Sequence, residues 1–337
     1  MRFGSAQNVQ SGGMTRLVRR LAQSIDFRWQ LFWDIGFISV AVLAIVGAIL
    51  SWVAYDEYRQ ARESEYRLLE AHARNADAQV AGAWDRIEHL LNDVAFERRQ
   101  AHQGGNFSAT LDRLRGNFPI VGTLLVADAS GRIGSATDPA LIGLDISREP
   151  YFVAQRDAGR VRKLYMSRPD KRLLGVTAAV FAVPILGGDG KFLGIAGLTI
   201  GFEFFPRVLQ FINPDDSASM TVIFNRDGDL LFRRADTESY FGRNVIKEST
   251  VLKEHFGAGL QTTRHVGPSA IDGRPRMFVV REVGATGLGV ILSRQLDEVV
   301  AKWRRDAVAY ALIFVFTTVV VAALGIIAAR RKREVVA

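Results

Sequence analysis

The sequence contains no cysteine. That absence excludes disulfide frameworks, thiolate metal sites and thiol nucleophiles, and it leaves the chain indifferent to an oxidising compartment. Histidine is scarce. His72, His89, His102, His255 and His265 form no pair at the spacing that sets two ligands on one helix face, so no metal site is expected. There is no glycine-rich phosphate loop followed by Lys-Ser or Lys-Thr, and Gly187 to Gly190 is too short to serve as one. A Gly-x-Ser-x-Gly elbow is also missing. Asp128, Asp145 and Asp227 fall in turns, where side-chain bonds to the nearby backbone account for carboxylates without catalysis. The chain is therefore not expected to be an enzyme or to hold a cofactor.

Charge is missing from two long stretches. Ile35 to Ala54 (IGFISVAVLAIVGAILSWVA) and Tyr310 to Ala329 (YALIFVFTTVVVAALGIIAA) carry no charged residue. Each is about as long as a helix must be to cross a hydrocarbon core of about 30 Å. A buried soluble helix and a cleaved signal peptide are the bland alternatives, but the first stretch follows a long leader and lacks a small-residue cleavage site. We read both as transmembrane helices.

Arg2, Arg16, Arg19, Arg20 and Arg28 precede the first span, and Arg330, Arg331, Lys332 and Arg333 follow the second. Both termini are thus expected in the cytoplasm of a bacterial inner membrane, with residues 55–309 outside it. Trp29, Trp33, Trp52 and Trp303 can anchor the helices at the interfaces. The excess of 43 Lys and Arg over 35 Asp and Glu sits largely beside these spans. It lacks the interleaved aromatics that stack bases, so membrane lipid rather than nucleic acid is the expected anionic partner.

Proline is absent from Tyr55 to Ala101, where the pattern is helical. Leu69, Ala73, Ala76, Val80, Ala83, Ile87, Leu90 and Val94 recur in steps of three and four, the seam of a long helix. That seam can serve a homodimer, the chain's own domain, or a mixture of both, and we favour the mixture. Gly104-Gly105-Asn106 breaks the helix.

The period then changes to that of strands. Gly122 to Ala127 and Arg132 to Ala136 flank the turn Asp128 to Gly131, and a looped segment runs on through Pro150. Arg162 to Ser167, Leu174 to Ile185 and Phe192 to Ile200 follow, the last two joined by a hairpin at Gly187 to Gly190. About a hundred residues later the plan repeats. Met220 to Phe224, Leu230 to Arg233, Thr262 to Val266, Arg276 to Glu282 and Gly289 to Ser293 are the second set, with Asn225 to Gly228 as its first turn. Phe205 to Ile212 reads as the connector between the sets, and Leu296 to Val308 as a helix feeding the second span.

The run Gly143-Leu144-Asp145-Ile146-Ser147-Arg148-Glu149-Pro150-Tyr151-Phe152, followed by Gly194-Ile195-Ala196-Gly197-Leu198, resembles the double Cache sensor domains of bacterial receptors. These are the PAS-like extracytoplasmic modules of histidine kinases, diguanylate cyclases and chemoreceptors. The resemblance covers nearly all of Tyr55 to Arg305. It implies an α+β fold in which two transmembrane helices flank a long helix and two tandem PAS-like antiparallel-sheet subdomains.

The expected order is a basic cytoplasmic N-terminus (1–34), the first span (35–54), the long helix (55–105), a membrane-distal subdomain (106–212) and a membrane-proximal one (213–295). A connector helix (296–309), the second span (310–329) and a basic tail (330–337) complete it. The resemblance also places a small-molecule ligand in the distal subdomain. Arg148 would clamp a carboxylate, Tyr151 and Phe152 would form an aromatic wall, and Tyr165, Ser167, Thr177 and Thr199 would offer hydroxyls. The sequence departs from the family at two positions. Glu149 falls where the family's pocket arginine stands, and Thr199 falls where amino-acid-binding members carry an aspartate.

The function expected from these features is that of a membrane sensor subunit. Too few residues follow the second span for an output fold, so the sensor is expected either to work on a separate effector or to be half of a larger receptor. The alternative is a membrane-anchored assembly subunit whose extracytoplasmic domain binds a protein.

Overall fold

The computed structural model describes residues 11–101, 107–118, 120–158, 163–171, 173, 175–209, 219–234 and 236–334. Arg2, His102, Gly104 to Asn106, Arg162, Leu174 and residues 210–212 lie outside the described residues. So do the side chains of Arg16, Arg19, Arg20, Arg28, Trp29, Trp33, Lys332 and Arg333. The chain divides into two compact units, one built from residues up to Arg62 and from Val300 onward, the other from Glu63–Val299.

The first unit consists of parts of two helices, α1 (Ser11–Gln100) and α7 (Leu296–Glu334). Each contains a window long and apolar enough to cross a membrane, and none of either window is buried inside the protein. The two helices are pinned together by aromatic side chains. Trp303 donates its indole N–H to the Ala54 carbonyl at 2.6 Å, and its ring lies 5.1 Å from that of Tyr58. The Tyr310 hydroxyl donates to Glu57 at 2.6 Å. Leu296 to Val308 is the start of α7, which continues through the second apolar stretch, Gly325 included.

In the second unit, β1 (Leu124–Asp128), β2 (Ile133–Ala136), β3 (Tyr165–Met166), β4 (Ala179–Leu186) and β5 (Phe192–Ile200) form one antiparallel sheet, ordered β2-β1-β5-β4-β3. The strands β6 (Ser219–Asn225), β7 (Leu230–Arg233), β8 (Thr262–Pro268), β9 (Pro275–Val283) and β10 (Leu288–Gln295) form another, ordered β7-β6-β10-β9-β8. The two orders are the same, so the repeat legible in the sequence is a repeat of topology.

Most strand ends fall within two residues of the expectation, and two strands, β3 and β4, begin three or more residues later. β3 has two residues because the Ser167 hydroxyl accepts the Val180 N–H at 2.9 Å, replacing the next ladder bond with a side-chain bond. β4 starts at Ala179, and among the described residues an isolated bridge between Asp170 and Ala178 precedes it.

Among the described residues, the unit also holds a short 3-10 helix (Pro139–Leu141) and five short α-helices: α2 (Ser108–Gly116), α3 (Pro150–Asp157), α4 (Phe204–Val208), α5 (Thr237–Tyr240) and α6 (Thr250–Ala258). Pro150 opens α3 rather than ending a loop, since its fixed φ and missing N–H suit the first helical position. Ser249 caps α6 by accepting the Leu252 N–H, and Gly259 ends it in the left-handed region. Helix α4 occupies the position read as a plain connector.

All eight seam residues of α1 are buried within the single chain, none more than 4 % exposed. They join Leu124, Val126, Phe181 and Leu198 of the first sheet and Ile223, Val279, Val290 and Leu292 of the second in one core. At about 1.5–3 kcal/mol per large apolar side chain, this seam is a principal source of stability, and it leaves nothing over for a coiled-coil partner. The expected mixture of uses is thereby corrected: the seam packs wholly on its own domain. The opposite sheet faces are covered by α3 in the first subdomain and by α6 in the second.

Candidate functional site

The face of the first sheet turned from α1 carries Leu125, Ala127, Val180, Ala182 and Ile195, packed with Tyr151 and Phe152. Helix α3 presents Tyr151, Phe152 and Gln155 inward, the one-face spacing of a short amphipathic helix. The Phe152 ring meets Phe192 edge-on at 5.6 Å. Tyr165 pairs with Ala182 and Thr199 with Val180, so both share this face. Ser167 continues the same edge opposite Val180.

The sequence-derived residues thus fall into two groups. Tyr151, Phe152, Tyr165, Ser167 and Thr199 are brought to one layer between the sheet and α3. Their hydroxyls differ in what they can offer. Thr199 Oγ1 accepts the Thr123 N–H at 2.8 Å, and Ser167 Oγ donates to the Arg168 carbonyl at 3.0 Å while accepting from Val180. Arg148 is exposed, in the turn before α3. It stands near Asp145, whose carboxyl the Ser147 N–H and hydroxyl hold below the usual carboxylate range, with the charges of Arg132 and Arg148 adding to this. Thr177 is half-buried and lies against the second subdomain, its methyl 3.5 Å from where a Cβ on Gly242 would stand.

Gln155, which the sequence reading passed over, is 2 % exposed. Its Nε2 donates to the carbonyls of Lys163 at 2.8 Å and Ala182 at 2.7 Å, tying α3 to both the loop before β3 and the strand beside it. The signal was present as the third inward position of a helix starting at Pro150.

Asp229, at the start of the second subdomain's return strand, was also missed. It is fully buried, yet it accepts Arg168 Nε at 2.7 Å and Nη2 at 2.5 Å, Asn225 Nδ2 at 3.0 Å and Asn244 Nδ2 at 2.8 Å. Burial is the largest influence on this carboxyl and disfavours its charge. The bonds from Arg168, Asn244 and Asn225 together outweigh it and hold the carboxyl below its ordinary range. Arg168 comes from the first subdomain, so the pair clamps one subdomain to the other.

Two further contacts lie beside the clamp. Gly242, with φ of +81°, lets Pro169 approach so closely that a Cβ there would stand 3.1 Å from the proline ring. Burial, then the charge of Asp227, raises the pKa of Tyr165. Tyr165 and Ser167 therefore share the layer beneath α3, while Arg168, Pro169 and Thr177 lie against the second subdomain. Among the described residues, no group of three or more histidine or acidic side chains is gathered to hold a metal ion.

No protein-family model and no curated protein matches the sequence. Solved structures do. The chain is similar to the extracellular domain assigned to a histidine kinase, rpHK1S-Z16, with a TM-score of 0.61 and 23% identity, over 72% of this chain and 98% of that one. It is similar to the ligand-binding domain of the Pseudomonas aeruginosa PAO1 amino acid chemoreceptor PctB, crystallised with L-Arg (TM-score 0.54, 15% identity, 70% and 97% covered). The ligand-binding domain of the Campylobacter jejuni chemoreceptor Tlp3, in complex with L-norvaline, matches at a TM-score of 0.54 and 9% identity, over 71% and 94%. At these identities the likeness establishes the fold, that of extracellular sensor domains of the double Cache kind, flanked here by two apolar helices.

Proposed function

We propose that the chain is a two-pass inner-membrane sensor subunit that binds a small ligand in its first subdomain and transmits the change to a separate effector. The observation that carries this reading is the double duty of the stretch Tyr165 to Ala178. Tyr165 and Ser167 edge the pocket face, while Arg168, Pro169 and Thr177 engage Asp229 and Gly242 of the second subdomain. A ligand that moves this stretch changes the contact between subdomains. It shifts the balance of two arrangements by its differential affinity for them, and by no more.

In this reading Tyr151 and Phe152 form the apolar wall, and Tyr165, Ser167 and Thr199 bound the site. Arg148 is exposed in the turn before α3, where its guanidinium would draw in a carboxylate. The basic clusters at both ends put the termini in the cytoplasm. A second reading, an assembly subunit that binds a protein, draws support from the Thr199 and Ser167 hydroxyls, which already bond to backbone.

Thermal melts of the full chain in nanodiscs against a library of small carboxylates, amines and sugars test the proposal. A saturable rise in Tm that Tyr151→Ala abolishes supports the sensor. Silence across the library, together with a partner protein that stays bound through purification, supports the assembly subunit. A reporter fused near Asp189 that faces the cytoplasm overturns the topology.

A further inference from the structure

A cleft of about 330 Å³ opens elsewhere in the second unit, between the subdomains and away from the pocket face. Its size falls at the small end of the range for ligand pockets, about 300–1,000 Å³. Helix α1 supplies Trp84, the loop before β3 supplies Lys163, the end of β6 supplies Phe224, the turn after it supplies Arg226, α6 supplies Phe256, and β9 supplies Glu282.

The aromatic part of this lining is held rigidly. The Trp84 ring packs edge-on against Phe181 at 5.2 Å, and Phe224 meets Phe256 edge-on at 6.0 Å. Gly289 leaves the room that the Phe224 ring fills, since a Cβ there would come within 2.3 Å of the ring. The charged part is uncommitted. No ion pair or side-chain hydrogen bond engages Lys163, Arg226 or Glu282 among the described residues, although most arginines that link α1 to the second sheet are paired, as Arg264 is with Glu63 and Glu70 and Arg281 with Asp77. The backbone beneath the cations is fixed: the Lys163 carbonyl accepts from Gln155, and the Arg226 N–H donates to the Gly287 carbonyl at 3.0 Å.

From this combination we infer that the cleft is a second ligand site, distinct from the pocket face, and that it takes a small aromatic carboxylate bearing a ring hydroxyl or N–H. The carboxylate satisfies Lys163 and Arg226, which carry two positive charges against the one negative charge of Glu282. The ring lies on the Trp84, Phe224 and Phe256 surface. The ring donor meets Glu282 on the remaining wall. Because its walls come from both subdomains, an occupant bridges them, and it does so whether or not the first subdomain's pocket face binds anything.

The test is isothermal titration of the full chain in phosphatidylcholine nanodiscs with 4-hydroxyphenylacetate, corrected against empty nanodiscs. Saturable binding is expected at millimolar concentration or below. The neutral 4-hydroxyphenylacetamide is expected not to bind, and phenylacetate, lacking the donor, to bind more weakly. Arg226→Ala and Lys163→Ala each weaken binding about tenfold. Both side chains are exposed and unpaired, so unchanged Tm values are expected, and Arg226→Gln and Lys163→Met provide milder forms of the same charge removal. Absence of saturation by 4-hydroxyphenylacetate overturns the inference. So does saturation that neither charge removal affects.

Discussion

Arg168→Ala tests the clamp between the subdomains. The substitution removes two charge-assisted bonds to Asp229, each of which is worth about 1.5–3 kcal/mol where water is excluded. The Arg168 side chain is 61% exposed while that of Asp229 is 1% exposed, so solvent screens one end of the pair. Screening reduces the expected loss to about 1–2 kcal/mol in total. Asp229→Ala should cost more, about 3–4 kcal/mol, because Asn225 and Asn244 lose their acceptor as well. The double variant should reveal a coupling of about 1–2 kcal/mol, measured by urea unfolding of the full chain in detergent.

Acid should erase the difference between wild type and Arg168→Ala. The folded-state pKa of Asp229 lies below its unfolded value of about 3.9, so the stabilisation is complete above that value and disappears as pH falls through the folded pKa. Hydrogen exchange should quicken at residues 163–170 and 225–229 in the variant and remain unchanged along the α1 seam. A coupling below about 0.5 kcal/mol at neutral pH would refute the clamp, since unconnected sites show no more than that.

Gln155→Leu keeps the volume but withdraws the donor from the Lys163 and Ala182 carbonyls; a loss of about 1–3 kcal/mol in chemical denaturation is expected, and a neutral result removes Gln155 from the argument. Gly289→Ala drives a methyl into the Phe224 ring and should cost about 1–3 kcal/mol, with partial recovery when Phe224→Leu is added. His255 bonds to the Thr263 hydroxyl, and burial lowers its pKa as the main effect, with Glu282 opposing and His265 assisting. The native state therefore resists its protonation: stability is complete above the unfolded pKa of about 6.5 and falls as pH drops from there toward the folded pKa. Melts of His255→Gln should show a shallower decline over that window than wild type, and parallel curves would count against this assignment.

What the sequence revealed and what it concealed divide along physical lines. The strand alternation, the glycine turns and the repeat after about a hundred residues are local signals, and strands such as Phe192–Ile200 and Leu230–Arg233 lie where those signals put them. The α1 seam was equally legible, because a three-and-four spacing reports burial of one helix face. Its partner was not, since the same spacing serves an intramolecular sheet as well as a second helix. Helix α3 lies beyond the segment read as a loop through Pro150, because proline is at home in loops and equally favourable at a helix start.

At the candidate site, Tyr151 and Phe152 were reachable from the run that resembles double Cache domains, and Tyr165 and Thr199 from the strand pattern beside it. Asp229, Arg168 and Gln155 were not. Each acts through a partner distant in sequence or through backbone carbonyls, and nothing in local composition marks such a pairing.

Under the proposed sensor reading, the architecture also indicates where two arrangements of the domain can differ. Both sheets rest on the same apolar seam of α1, and a close-packed interface of this kind resists sliding, because any displacement opens voids along its whole length. The polar contact between the subdomains has the opposite character. One buried carboxylate retains two asparagine donors even when the guanidinium leaves, and that guanidinium is largely in water already. Opening it costs little more than the screened pair itself, whereas shifting the seam costs many apolar contacts at once. Low-cost motion in such a domain concentrates where few buried contacts must be broken, which here is the loop carrying Arg168 and Pro169. That loop begins at Tyr165, on the pocket face, so the part of the molecule cheapest to move is also the part a ligand there would touch first.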